Sequence, residues 1–398
     1  MTPLEGIKVL DLSRVLAGPW CTQLLADLGA EVIKIERPGA GDDTRHWGPP
    51  WFGAGDGKVA AYFLSCNRGK KSAAIDFAQA DGAALVRRLA KDADVVVENF
   101  RVGGLEKFGL DAASLRAASP RLVYASITGF GQDGPYAGRA GYDFMIQAMG
   151  GLMSITGRPD GEPGGGPMRV GVAVADLFTG MYTAVAILAA LFRRERTGEG
   201  AHIDMALFDT QVAVLANQVS NALVSGEDPP RQGNTHPNIV PYQPFDAADR
   251  PIVIAVGNDR QFARLAQICG HPEWTADERF ATNAARVANR AEIVGLIAGA
   301  IGQKPAALWF EELEAAGIPA GPINSVTEAL ADVQAQHRAM VRTIAGVPLV
   351  GSPVRLDGER ADSDLPPPAL GEHTAEVLAS LGLEAREVER LRAAKVVG

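Results

Sequence analysis

The feature that most constrains this chain is the regular alternation of short apolar strands with helical stretches in its first half. Ile7-Lys8-Val9-Leu10-Asp11-Leu12 reads as a buried strand. Ala17-Gly18-Pro19-Trp20 is a turn with proline placed to begin a helix, Trp20 to Leu28 supplies the apolar positions of that helix, and Gly29 closes it. Glu31 to Glu36 is a second strand. Strand, helix and strand at this spacing predict a parallel pair joined by a right-handed crossover. The pattern resumes with a helix at Gly82 to Lys91, a strand at Asp94 to Glu98, a helical stretch around Leu115 and a strand at Leu122 to Ile127. A strand at Ala201 to Met205 and a helix from Leu207 to about Val224 follow. The predicted fold class is α/β, a doubly wound parallel sheet.

At 398 residues the chain exceeds one small core. Ser225-Gly226-Glu227-Asp228-Pro229-Pro230 marks a compositional break. Beyond it, Tyr242 to Phe245 and Ile252 to Val256 read as strands of a separate small sheet, with helices near Asp259 to Cys269, Arg290 to Ala300 and Pro305 to Ala315. The predicted division is a large domain over 1–224, a small α+β domain over 225–325, and a linker returning to the large domain over 326–398. A net charge of -9 argues against a general nucleic-acid binder. Three well-separated cysteines (Cys21, Cys66, Cys269) offer no disulfide framework. No secretory leader or apolar run of membrane-spanning length is read, so the expectation is a cytoplasmic protein with no membrane association.

Among the loops, Gly161 to Pro167 is rich in glycine and leads to Asp176, which heads the apolar run Met181 to Phe192. The run reads as a buried helix too short to cross a bilayer. Asp176 there is in the first place a helix cap, accepting the free N–H groups of the first turn. The sharper alternative makes it a nucleophile, kept ionised by those donors and the helix dipole and able to form a covalent acyl intermediate.

Other motifs lead elsewhere or nowhere. Gly129-Phe130-Gly131-Gln132-Asp133-Gly134 matches a dinucleotide fingerprint, but Pro135, Gly138 and Gly141 follow where a helix should start, so no nicotinamide or flavin is expected. Glu36 sits where such folds often place a ribose-binding acid. Gly69-Lys70-Lys71-Ser72 lacks the leading glycine of a phosphate loop. The six histidines show no metal spacing, and no metal is expected. Arg14, Arg37, Arg45, Arg68, Lys70, Lys71, Arg101, Lys107 and Arg139 cluster in loops after the predicted strands, where a doubly wound sheet binds ligands. Cations converging there with Asn99 suit a polyphosphate; solvated surface charge is the plain alternative.

Several motifs then coincide in order: Val9 to Leu12 with Leu16 to Pro19, Leu28 to Arg45, Asn67 to Ser72, Val97 to Phe100, Ile127 to Gly131, Ala175 to Gly180, and Leu370 to Thr374. Together they resemble the family III CoA-transferases, the group of formyl-CoA transferase and carnitine CoA-transferase. The resemblance implies a large domain built from both chain ends, a small middle domain and an interlocked homodimer. It implies Asp176 as the catalytic residue and coenzyme A contacts at Arg14, Val15, Ala17, Arg37, Lys70 or Lys71, Asn99, Phe100, Lys107 and Arg139. The α-methylacyl-CoA racemases share this fold but place histidine before the aspartate of the segment that here reads Gly141-Tyr142-Asp143-Phe144. Tyr142 leaves one of two proton-transfer groups missing, which favours transfer over racemisation. Asp42 to Arg45, Trp47 to Pro50 and Ile239 to Gln243 look most like succinyl-CoA-dependent transferases of dicarboxylic acids such as hydroxymethylglutarate or glutarate. Such an acid keeps one carboxylate free, for which Arg45 and Arg169 are candidate partners beside Tyr142; loop-pinning roles are the alternative. Backbone N–H groups of Gly164, Gly165 and Gly166 are candidate oxyanion donors, with linker slack the alternative.

Overall fold

The computed structural model describes residues 2–398. The chain divides into two compact units: one comprises the chain up to Met153, Arg169–Glu227 and Val333–Gly398, the other Ser154–Met168 and Asp228–Asp332.

The first unit is built on six strands: β1 (Lys8–Asp11), β2 (Glu31–Glu36), β3 (Lys70–Ala74), β4 (Val95–Glu98), β5 (Val123–Thr128) and β6 (His202–Ala206). They lie in the order β3-β2-β1-β4-β5-β6, and every neighbouring pair is parallel. Side chains alternate between faces along each strand, and both faces are buried, as a sheet covered by crossover helices requires. On one face Val9, Val95, Val97, Val123 and Ala125 pack with helices α1 (Ala17–Asp27) and α5 (Val174–Thr197). On the other, Leu10, Ala73, Val96 and Tyr124 pack with α2 (Ala80–Lys91), α3 (Ala112–Ala118) and the helices Thr374–Ser380 and Ala385–Ala393. The remaining short helix that matters to the site is α4 (Asp143–Met149).

Three expectations are corrected. Strand β3 went unread, because Lys-Lys-Ser-Ala-Ala has neither alternation nor a β-branched residue. The predicted helix from Leu207 to Val224 is two helices, Leu207–Ala213 and Asn217–Ser225, broken where Ala216 takes a φ of 49°. Helix α5 has 24 residues, and by length and composition it could cross a membrane. Nor is it buried all round. Thr179, Thr183, Ile187 and Leu191 face the core, while Phe178, Met181, Tyr182, Val185 and Phe192 form an exposed apolar stripe.

Edge strand β3 is joined by the segment Val396 to Gly398. Ile75 pairs with Val397, the Gly398 N–H donates to the Ala74 C=O at 3.0 Å, and the Asp76 N–H donates to the Val396 C=O at 2.8 Å. Next to them the Ala74 N–H donates to Thr374 Oγ1 at 3.0 Å.

The second unit holds a three-stranded antiparallel sheet with Pro251–Ala255 between Tyr242–Asp246 and Ala320–Pro322. Ile252, Ile254, Phe262, Leu265, Ile293, Ile297 and Trp309 form its core. The glycine-rich segment Ser154–Met168 belongs here rather than to an unbroken 1–224 domain. The Gly233 N–H donates to the Gly157 C=O at 3.1 Å, and Arg231 pairs with Asp160 while donating to the Ser154 C=O at 3.0 Å. Gly164 and Gly166 take φ of 76° and 138°, and Gly165 has no room for a side chain against the Pro159 carbonyl.

Candidate active site

The loop after β1 is pinned at every residue. Lys34, from β2, donates to the Ser13 C=O at 2.8 Å and pairs with Asp42 at 2.9 Å, both side chains fully buried. Asn99, after β4, accepts from the Arg14 N–H at 2.9 Å and donates to the Arg14 C=O at 2.6 Å, as a paired strand would. The Arg14 guanidinium lies 5.4 Å from the centre of the Phe100 ring. The Val15 N–H donates to both Asp42 oxygens at 3.3 Å, and the Val15 C=O accepts from Cys66 Sγ at 3.6 Å. Burial opposes the charge on Asp42, yet Lys34 beside it and the Thr44 N–H hold its pKa down to about 2. Helix α1 begins immediately afterwards, with no side-chain cap and no acid in its first turn.

The start of α5 is built differently. Asp143, the first residue of α4, accepts from the Ala175 N–H at 2.8 Å and from the Asp176 N–H at 3.4 Å. Gln147, one turn on, donates to Asp143 at 2.7 Å and accepts from the Val170 N–H at 2.9 Å, fixing the approach to the helix. Asp143 therefore supplies the cap expected of Asp176. The Asp176 carboxylate itself has no hydrogen-bond donor among the described residues. Burial, and then the negative charge of Asp143, raise its pKa to about 7. The expectation of a carboxylate held firmly ionised by the helix end is corrected accordingly: the helix N–H groups go to Asp143.

Asp176 opens into a cavity of about 440 Å³ that is also lined by Arg14, Val15, Ala17, Asn99, Phe100, Arg101, Arg139 and Tyr142. A second cavity of about 330 Å³, lined by Arg37, Gly41, Asp43 and Phe77, shares Arg14 and Phe100 with the first. Both lie at the carboxyl ends of β1, β2 and β4, the edge where such sheets receive ligands. The two adjoining cavities suit an elongated anion: cationic side chains line both, and Asp176 lines only the larger. Arg139 rests on the Tyr136 ring at 3.8 Å, and Tyr142 is 67% exposed.

Several predicted site residues are placed elsewhere. Lys70 is buried and donates to Asp11 at 3.1 Å, the Pro19 C=O at 2.9 Å and Asn67 at 3.0 Å, so no donor is left for a ligand. Burial, set against Asp11, lowers its pKa. Lys71 pairs with Glu31 and Glu376, each at 2.7 Å, and lines a separate hollow with Thr2 and Ser363. Lys107 is exposed beside Phe108 and lines neither cavity. Arg45 is buried, bidentate to Glu36 at 2.7 and 2.8 Å, and 3.7 Å from the Phe63 ring centre; it pins a loop rather than meeting substrate. Glu36, so engaged, also accepts from Ser72 and the Asp42 N–H, which leaves it no free oxygen for a ribose. Arg169 is exposed and outside the Asp176 cavity. Gly164, Gly165 and Gly166 belong to the second unit.

Arg101, one of the cations expected at the ligand-binding edge of the sheet, lines the Asp176 cavity, whereas sequence reading missed Asp143 as the cap. Tyr62 lines neither cavity, but it is near enough to feel Asp176: burial, and then the charge of Asp176, push its hydroxyl pKa up to about 12. Spacing alone gave no sign of Asp143, which lies 33 residues before Asp176 and meets it only through the fold. Among the described residues no group of His, Cys, Asp and Glu is arranged to hold a metal.

Comparison with known proteins places the chain among CoA-transferases. The chain is 51% identical over 386 residues to a succinate–glutarate CoA-transferase of Agrobacterium fabrum, covering 95% of this chain and 96% of that protein. It is 41% identical to the human succinyl-CoA:glutarate CoA-transferase, covering 99% of this chain and 90% of that protein. A crystal structure of a CAIB/BAIF family protein from Brucella suis superposes with a TM-score of 0.85 at 53% identity, covering 96% of this chain and 99% of that one. The family model for CoA-transferase family III matches residues 4–374, and the chain belongs to that family of CoA-transferases.

Proposed function

We propose that this enzyme moves coenzyme A from succinyl-CoA to a dicarboxylic acid of the glutarate class, with Asp176 as the nucleophile. The observation that carries the reading is the single cavity that Asp176 lines together with Arg14, Arg101 and Arg139. The adenine and phosphates of CoA lie along Arg37, Arg14 and Phe100, and the pantetheine arm runs past Val15 and Ala17 to Asp176. The names of the relatives in bacteria and man point to the donor and acceptor.

In the reaction the ionised Asp176 attacks the donor thioester carbonyl; the C–S bond breaks, giving an aspartyl mixed anhydride and CoA thiolate. The thiolate attacks the aspartyl carbonyl and releases succinate, leaving an aspartyl-CoA thioester. The acceptor carboxylate attacks that thioester, again expelling thiolate. Thiolate attack on the acceptor side of the new anhydride forms the product and restores Asp176. No net proton is consumed and the acyl activation is kept throughout, so the cycle needs no nucleotide. A nucleophile whose pKa lies near neutrality is both available and reactive, because burial has removed the water that would stabilise its charge.

The active form is an interlocked cytoplasmic homodimer in this reading. Phe178, Met181, Tyr182, Val185 and Phe192 present an apolar stripe larger than scattered surface residues. The racemase reading of the same fold is less well supported, since Tyr142 stands where its second proton-transfer group would be.

The test is to incubate the enzyme with succinyl-CoA alone and map mass adducts by peptide. An adduct on the peptide containing Asp176 is expected, together with succinyl-CoA-dependent formation of glutaryl-CoA. Near-normal transfer by Asp176→Ala overturns the mechanism. Deuterium exchange at an acyl-CoA α-carbon without any acceptor acid would install the racemase in its place.

A further inference from the structure

Val15 is the one β-branched residue with positive φ (72°) among the described residues; the other five non-glycine cases are Ala216, Ala339, Ala345, Asp357 and Lys395. A valine in the left-handed region is a genuine outlier, because its branched Cβ crowds the backbone, and such strain persists only where surrounding structure enforces it. Here the enforcing groups are all buried. Asp42 accepts the Val15 N–H on both oxygens at 3.3 Å, Cys66 Sγ meets the Val15 C=O at 3.6 Å, and Lys34 holds both Asp42 at 2.9 Å and the preceding Ser13 C=O at 2.8 Å. The same ion pair thus grips the chain on either side of Arg14. Directly after the strained peptide come Leu16 and Ala17, which line the cavity with Asp176.

We infer that the buried Lys34–Asp42 pair is a positioning device for the reaction: it locks Val15 in a left-handed conformation and so sets the backbone that lines the cavity facing Asp176. The inference rests on the proposed function for its catalytic meaning, while the geometry it asserts is independent of that reading. Lys34 and Asp42 touch no reacting atom. Their part is to hold a backbone that Val15, left to itself, would abandon for negative φ. A pair retained only for stability would have no reason to bear on the conformation of one residue.

The test replaces the pair by apolar side chains, Lys34→Met with Asp42→Leu, which leaves no unpaired charge in the interior. Crystals of this variant are expected to show Val15 at negative φ; a φ remaining near its present value overturns the inference whether or not the enzyme transfers CoA. In transfer assays the variant should lose roughly fivefold to a hundredfold in kcat/KM, the scale set by one strained residue. The decisive comparison repeats the exchange on a Val15→Gly background. Glycine adopts positive φ freely, so the loss caused by removing the pair should shrink several-fold there. An equal loss on both backgrounds identifies a merely structural pair and overturns the inference. Should the pair replacement fail to fold, Cys66→Ala removes the hold on the Val15 C=O while leaving the Lys34–Asp42 pair in place, and the part of its loss that comes through Val15 should be absorbed by Val15→Gly. If instead Asp176→Ala transfers CoA normally, the functional reading fails, and the φ of Val15 still decides the positioning claim.

Discussion

Two helices begin at the same cavity and are finished in opposite ways. Helix α1 starts with no acid, no side-chain cap and a strained Val15 just before it. Helix α5 starts with two carboxylates, one accepting its N–H groups and the other left without a donor. A helix start carries partial positive charge. At α1 that charge is left uncompensated by the protein beside Arg14, which favours an anionic guest. At α5 it is taken up by Asp143, so Asp176 gains little from it and instead carries the penalty of burial next to a like charge. The lesson is that one structural element does two jobs according to which neighbour reaches it first.

The strongest way to break the contrast is to remove the unsatisfied carboxylate. Asp176→Asn should reduce transfer by at least ~10³-fold, as loss of a covalent nucleophile does. The same change should stabilise the fold at alkaline pH. The Asp176 pKa is raised to about 7 by burial and Asp143, above its ordinary value, so the folded state holds an extra proton between roughly pH 4 and 7. Folding stability therefore falls as pH rises through that window. Asp176→Asn should be more stable than the parent at pH 8 by up to about 4 kcal/mol and match it near pH 4, as read from denaturant unfolding at each pH.

Next in size comes a contrast of buried and free cations. Lys70→Met leaves Asp11 in the interior without its ion-pair partner and should cost ~3–5 kcal/mol in denaturant unfolding. Arg14→Ala should change stability little, since its ion pair with Asp43 is exposed. It should instead raise the KM for the CoA donor about tenfold, as loss of a hydrogen bond to a charged group does. An unchanged KM for Arg14→Ala would remove the α1 side from the ligand site.

A smaller change sharpens the α5 side. Asp143→Asn keeps an oxygen to cap Ala175 but removes the negative charge, so the acid limb of the kcat/KM profile, expected near pH 7, should move to lower pH. A limb that stays in place would show that burial alone sets the Asp176 pKa. The smallest effect belongs to Lys71→Ala. Its paired glutamates are partly exposed, so stability should shift by under ~1 kcal/mol and transfer kinetics should hold.

Much of the fold could be read from the chain because β1, β2, β4 and β5 are apolar runs separated by helical periodicity. Strand β3 could not, because its lysines and small residues follow no alternation. The break in the helix after Leu207 and the outward apolar stripe of α5 were also hidden, since a helix's apolar positions do not say which partner covers them. At the site, Asp176 and the Arg14 loop stood out through their motifs. Lys70 and Arg45 misled for a physical reason: a cation in a loop after a strand looks the same in sequence whether it faces solvent or a buried carboxylate. Only the positions of Asp11 and Glu36 tell them apart, and those are fixed by tertiary packing.

The closing of β3 by Val396 to Gly398 carries a practical warning. An open strand edge is a template for adding another strand, and here the Ala74 carbonyl and the Asp76 amide are satisfied by Gly398 and Val396. A cut just before Val396 would strip both partners at once. The clipped protein should then accumulate as sedimenting aggregates with a cross-strand infrared signature, even where its catalytic residues are untouched.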